Sequence, residues 1–310
     1  MTSPAALRQA VNDLAGDARC ASWGVSRVEP LVEEHRRLLS WIRSGRHGSC
    51  TYLERRADIL LSPDHPDFLD GARSVIMISL SIARPDPPRG SLGMSVARHV
   101  RGLDYHEVVA RRLRSILSGL KVRAGGIHGR VFVDTAPVME KVWAQRAGLG
   151  WIGRNGLLVQ PAHGSFTVLG GIAVDAEVEP DQPAEDGCGD CRACVEACPV
   201  AAISGDRLVD VRACLSRLTS EQDVPCGVDL SARLAGRSAF GCDLCQEACP
   251  HNDSLPDGDP EFEPLSFMKE MSAREFLALD GERAEALIED TSISSTGVAR
   301  FRQNLASALG

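Results

Sequence analysis

No apolar run in the 310 residues approaches the roughly 20 that a membrane-spanning helix needs. The opening "MTSPAALRQAVNDLAG" lacks a basic stretch followed by an apolar one, and it lacks a twin-arginine pair. The expected location is therefore the cytoplasm, with no membrane partner. No G-x-G-x-x-G separates a strand from a helix, and no G-K-[ST] closes a phosphate loop, so neither a dinucleotide fingerprint nor a P-loop is present. Low-complexity blocks are absent, and the only internal repeat is a doubled cysteine motif.

Cysteine is what the chain has in excess. Nine of its 11 cysteines fall between 188 and 249, leaving Cys20 and Cys50 as core or surface bystanders. In a reducing compartment such a concentration favours metal binding over disulfides. Cys188, Cys191, Cys194, Cys198 and Pro199 form the run C-x2-C-x2-C-x3-C-P. In bacterial ferredoxins the first three thiolates of such a run hold one cube, and the fourth ligates the other cluster. Zinc sites use pairs of cysteines set apart from other pairs, which does not account for this spacing.

A second copy contains Cys242, Cys245, Cys249 and Pro250, but Ala239 stands where its first thiol belongs. By the exchange rule Cys188, Cys191, Cys194 and Cys249 hold the first [4Fe–4S] cluster, and Cys198, Cys242 and Cys245 hold three irons of the second. Two candidates remain for the eighth ligand. Cys214 is expected on a helix within "VDVRACLSRLTSE", and Cys226 is expected in a loop between Pro225 and Gly227. The rigid placement of a helix favours Cys214 and leaves Cys226 a free thiol. About 175 residues precede this module. Clusters pass electrons singly, so the larger part is expected to hold the acceptor.

The first 175 residues read as alternating helix and strand. Helices are expected over "LVEEHRRLLSWIRSG", from Tyr105 onward, and over "APVMEKVWAQRAG". Strands are expected at 74–82, 130–134 and 165–175. Composition turns acidic at 176–187. Residues 1–175 carry 23 Lys/Arg against 16 Asp/Glu, and the remainder carries 11 against 26, within a net charge of −8. The basic half is either a docking face for an anionic partner or a solvated surface. Asp134 ends one expected strand, and "AGLGWIGRNG" follows downstream. Glycines this dense permit close backbone approach to a bulky ligand. The plainer reading is a glycine-rich turn with Asp134 as a helix N-cap.

"VDTAPVMEKVWAQRAGLGWIGRNGLL", "EDGCGDCRACVEACPVAAI", "CLSRLTSE" and "GCDLCQEACP" together resemble the epoxyqueuosine reductase family. The likeness extends to "HGSCTYL", "RGLDYH" and the closing "RFRQNLASALG", so it runs through nearly the whole chain. It implies an α+β fold with a nitroreductase-like cobalamin-binding domain at 1–176, a ferredoxin-like two-cluster domain at 177–258 and a helical segment at 259–310. It implies two [4Fe–4S] clusters and cobalamin as cofactors, and Cys214 as the eighth thiolate. The implied reaction reduces epoxyqueuosine to queuosine at the tRNA wobble position. The partners would be a tRNA anticodon loop on the basic half and an external donor such as flavodoxin or ferredoxin, with the protein a monomer. Cobalamin contacts would fall on Asp134, Leu158, Leu169, Ser216, Cys242 and Asp243.

The same resemblance puts the general acid on Asp134. For a carboxylic acid to donate near neutral pH its pKa must rise, which desolvation would achieve against the pull of the following helix N-terminus.

Several positions depart from the family pattern. Leu103 stands in a G-R-D-Y-H run, Ser294 and Ser295 replace arginines, and His251 replaces a tryptophan. Lost arginines bear on phosphate recognition. The alternatives are a reductase with the same machinery and another small-molecule substrate, in the manner of reductive dehalogenases, or an iron–sulfur electron carrier. A carrier needs neither Asp134 nor the glycine-rich segment.

Overall fold

The computed structural model describes residues 2–221, 231–234 and 236–309. Cys226 lies outside them. A four-stranded antiparallel sheet has the order β1-β2-β6-β3, with β1 at Ser22–Arg27, β2 at Ser74–Ser81, β3 at Gly129–Phe132 and β6 at Thr167–Val174. All eight residues of β2 are buried. Their side chains divide with period two. Ile76, Ile78 and Leu80 enter one core with helix α1 (Pro4–Asp17) and the 20-residue helix Tyr105–Ala124, here α2. Val75 and Met77 enter a second core with Phe68, Phe132 and Trp143.

Two glycines in β6 set the distance to both layers. A Cβ at Gly170 would lie 2.6 Å from Val109 of α2, and one at Gly171 would lie 2.4 Å from the Phe132 ring. Both helix and aromatic therefore seat directly on strand backbone.

The expected strands at 74–82 and 165–175 and the helix at Tyr105 match the structure closely. The helix expected from Ala136 does not. It forms only over Glu140–Arg146, here α3, and residues 134–138 are a turn. Pro137 and the left-handed Asp134 (φ 49°) keep that stretch out of helical geometry. Helix α1 and strand β1 carried no expectation.

Residues 92–100 leave the sheet and join a third core. There Leu92, Val96 and Val100 pack with Phe240, from the loop before Cys242, and with Met268, Phe276 and Phe301 of the C-terminal helices. Ala239 is fully buried in this core, and its N–H donates to Ser95 O at 2.7 Å. That is the physical reason the second motif has no thiol there. The acidic stretch after the sheet is tied down: Arg8 grips Asp181 at 2.7 Å, and Val178 is buried. Among the described residues no helix is long and apolar enough to cross a membrane.

Candidate active site

Eight thiols gather in two groups, and none is in a disulfide. Burial pushes the Cys194 thiol up, and the neighbouring Cys188, Cys249 and Cys191 add to the rise. Cys249 likewise feels Cys188 and Cys191. In the second group burial lifts Cys242 to about 11 and Cys245 to about 12, with Cys214 adding to both and Cys198 to the first. The structure thus brings together the same two sets of four that the exchange rule and the resemblance give. Cys194 also reaches Cys245, which sets the groups side by side.

Among the described residues no three His, Cys, Asp or Glu side chains close on a single ion. All-thiolate groups of four are the donor set of a cubic iron–sulfur cluster. Donors also point at the sulfurs: Ala202 N–H reaches Cys198 Sγ at 3.3 Å, and Trp151 Nε1–H reaches Cys188 Sγ at 3.4 Å.

Cys214 does not sit on a helix, as expected, but immediately before one. It is the N-cap of Leu215–Ser220, here α4. Leu208 and Val211 lie outside that helix. The Cys214 backbone is still rigidly held, because Leu215 and Leu218 are buried beside it.

The glycine-rich segment is a hairpin of β4 (Trp151–Ile152) and β5 (Leu158–Val159). Its glycines serve protein packing: a Cβ at Gly150 would lie 2.1 Å from Val159 O. The hairpin is a mount for the cysteine loops. Arg154 donates to Gly189 O at 2.6 Å and Gly205 O at 2.9 Å, and Arg207 donates back to Ile152 O.

Asp134 is not an N-cap. Its N–H donates to the Glu140 carboxylate at 2.6 Å, and its side chain points to solvent with 59% exposure. His106 Nε2 lies 3.4 Å from Asp134 Oδ2, while His106 Nδ1 lies 2.7 Å from Asp104 Oδ1. Asp104 caps α2 through His106 N–H at 3.0 Å and accepts from Ser292 Oγ at 2.9 Å. Ser292 places the turn of Ser294 and Ser295 beside this chain of groups. Tyr105 stacks on His106 with ring centroids 4.0 Å apart.

The electrostatics correct the expectation for Asp134. The His106 hydrogen bond holds its carboxyl below the usual range, against burial, with the charges of His106 and Lys141 assisting. The helix N-terminus beside it is not that of α3, which begins only at Glu140, but that of α2, whose second residue is His106. Burial opposes protonation of His106, yet its bonds to Asp104 and Asp134 outweigh that and lift it to about 9. Both ring nitrogens then donate. Burial, reinforced by the Asp134 charge, pushes Glu140 up to about 8, and burial lowers Lys141.

Asp134 and Lys141 touch solvent, yet the surrounding protein desolvates both. Lys141 feels Cys214 as well as Asp134, and half-buried His99 feels both Asp243 and Asp134. The Asp134 turn therefore lies near the second thiol group.

The residues expected to contact cobalamin lie in several parts of the fold. Leu158 is buried in the Trp143 core and Leu169 packs against that core. Ser216 lies in α4, next to Cys214. Asp243 is buried, its Oδ2 accepting from Arg98 N at 2.7 Å. The sequence reading passed over His106, Glu140 and Lys141 as functional groups. "DYH" with an acid two residues before a histidine was the available signal.

Two thiol quartets near an acid–histidine–acid chain define an iron–sulfur redox protein. The cysteine region, 187–252, matches the family described as "4Fe-4S double cluster binding domain", and 64–135 matches "Epoxyqueuosine reductase QueG, DUF1730". The epoxyqueuosine reductase of Leadbetterella byssophila is 32% identical over 284 residues, covering 91% of this chain and 92% of that one. That of Pseudomonas aeruginosa is 33% identical over 315 residues, covering 99% and 86%. A crystal structure of epoxyqueuosine reductase with an epoxyqueuosine-modified tRNA-Tyr stem loop superposes with a TM-score of 0.86 at 25% identity, over 98% of this chain and 81% of that one. The chain belongs to the epoxyqueuosine reductase family.

Proposed function

We propose that this protein reduces epoxyqueuosine to queuosine at the tRNA wobble position. The observation that carries the proposal is the Asp104–His106–Asp134 chain, near enough to Cys214 and Asp243 for Lys141 and His99 to feel both sides. Removal of an epoxide oxygen as water consumes two electrons and two protons and leaves a carbon–carbon double bond. Two [4Fe–4S] clusters on the eight thiols would supply single electrons, and cobalamin held between them and Asp134 would supply a strong reductant toward the epoxide. Asp134 is the proton donor to the departing oxygen. It is ionised at rest, so its proton arrives from His106, which is charged at neutral pH and 3.4 Å away. Asp104 holds the imidazole in register. Glu140, half-neutral near pH 8, fixes the Asp134 backbone and is a second store of protons.

In this reading residues 1–176 are the nitroreductase-like cobalamin-binding domain, 177–258 the two-cluster domain and 259–310 a helical brace. Asp134, Leu158, Leu169, Ser216, Cys242 and Asp243 contact cobalamin. The tRNA docks on the basic half. Many arginines there are already paired within the protein, including Arg8, Arg73, Arg84 and Arg123. Exposed Arg55 and Arg56, just beyond Tyr52, are the better phosphate contacts, since Tyr52 feels the Asp134 charge. Electrons come from a flavodoxin or ferredoxin, and the enzyme works as a cytoplasmic monomer.

The test is anaerobic reconstitution with iron, sulfide and cobalamin, followed by mass spectrometry of tRNA bearing epoxyqueuosine. The expected result is queuosine from the wild type and a loss of at least about 100-fold in Asp134→Asn with cofactors retained. Full turnover in that variant overturns the role of Asp134. A second reading rests on the turn at 292–295. Its serines bond to their own backbone, Ser294 to Thr291 O and Ser295 to Ser292 O, both at 2.8 Å, where the family pattern has arginines. Cobalamin binding without tRNA turnover would establish a reductase of another small molecule.

A further inference from the structure

We propose that Trp151 sets the reduction potential of the first cluster through its indole N–H, a role that rests on the reading of Cys188 as a cluster ligand. Trp151 is 5% exposed, and its Nε1 lies 3.4 Å from Cys188 Sγ. A buried indole N–H needs an acceptor, and this sulfur is the one it has. The ring is confined on two sides. A Cβ at Gly187 would lie 2.5 Å from Cζ2, and the His251 ring meets it edge-on with centroids 4.9 Å apart. The hairpin pairing of Trp151 with Val159 fixes the backbone. The indole therefore cannot turn its N–H elsewhere without moving the loop that carries Cys188.

Main-chain groups also donate to these sulfurs: Ala202 at Cys198, His251 at Cys249 and Leu244 at Cys242. Only proline would delete them, with a change of backbone. Trp151 is a side chain, and it comes from the hairpin rather than from the cysteine region. Hydrogen bonds to cluster sulfurs shift the potential, because a donor stabilises the more negative, reduced state better than the oxidised one. Trp151 thus raises the potential of the first cluster relative to the same cluster without it. The first group is also the more accessible one, with Cys191 exposed. Its potential governs how readily it accepts an electron from outside.

The experiment is an EPR-monitored redox titration of the reconstituted full-length protein and of Trp151→Phe, which keeps the aromatic packing and removes the N–H. The expected result is full iron content and an approximately tenfold shift of the first cluster's equilibrium toward the oxidised form, about 59 mV for a one-electron couple. The second cluster should be unmoved. An unchanged first potential with iron intact overturns the inference alone. A wild type that assembles no first cluster overturns the ligand reading and the inference with it. Should Trp151→Phe lose iron, the wild type labelled with indole ¹⁵N decides: pulsed EPR of the reduced protein must show a nitrogen coupled to the first cluster, and its absence overturns the inference.

Discussion

Replacing Asp104 by Asn tests the charge relay at its root. His106 is lifted from 6.5 to about 9 by two carboxylates acting against burial. That rise corresponds to roughly 3 kcal/mol of preference for the imidazolium. Asp104 lies at 2.7 Å and Asp134 at 3.4 Å, so Asp104 supplies the larger part. Asn retains the hydrogen-bonding shape and still caps α2, but it removes the charge. The His106 pKa should then fall to roughly 7. A group raised on folding lends stability that is fully present below its unfolded pKa, near 6.5, and that fades as pH climbs through about 9. The variant has little of this stability to lose, so the wild type should exceed it in stability by more at pH 6 than at pH 8. The assay is NMR titration of ring-labelled histidine, assigned with His106→Gln, together with the alkaline limb of the pH–rate profile. Titration of His106 near 6.5 in the wild type, or still near 9 in Asp104→Asn, would refute the reasoning.

Cys214→Ser should halve the bound iron while Cys226→Ser leaves it intact, by iron and sulfide analysis of reconstituted protein. Phe301 is fully buried and edge-on to Phe276 at 5.3 Å, so Phe301→Ala should cost about 3–5 kcal/mol in urea unfolding. Arg112 and Asp259 form a pair 2.6 Å apart, each 8% exposed. Arg112→Met should destabilise by about 3–5 kcal/mol, because it strands a buried carboxylate, and Asp259→Asn in the same background should recover part of that loss.

The cysteine spacing made the two thiol groups legible, because ligand geometry leaves few ways to arrange such a run. The central strands were legible because β2 and β6 are short, mostly apolar runs rich in β-branched residues. The Asp134 turn was not. "APVMEK" has helical composition, and only the left-handed backbone and the Glu140 bond reveal a loop. The glycine-rich segment misled for a related reason. Dense glycine signals close approach without saying to what, and here the approaching group is Val159 backbone. The Asp134 pKa could not be read at all, since it depends on His106, 28 residues away in sequence and brought alongside by α2 and β3. Ala239 was legible as a gap, but its cause, recruitment into the C-terminal core, is a tertiary fact.

Helix 298–309 supports the segment that links the second thiol group. Arg300 donates to Leu218 O at 2.9 Å and Asn304 to Thr219 O at 3.0 Å, while Thr219 Oγ1 accepts from Gly241 N–H at 2.9 Å, one residue before Cys242. The segments carrying Cys214 and Cys242 are thus joined at Thr219, which is held in place by residues made after every thiol. During synthesis the first quartet is complete in sequence once residue 249 has emerged. The second has all its thiols by then but lacks its brace for another fifty or so residues. The two sites should therefore mature in order, the outer before the inner, and a ribosome paused between them would carry a nascent chain able to hold one cluster firmly and the other loosely.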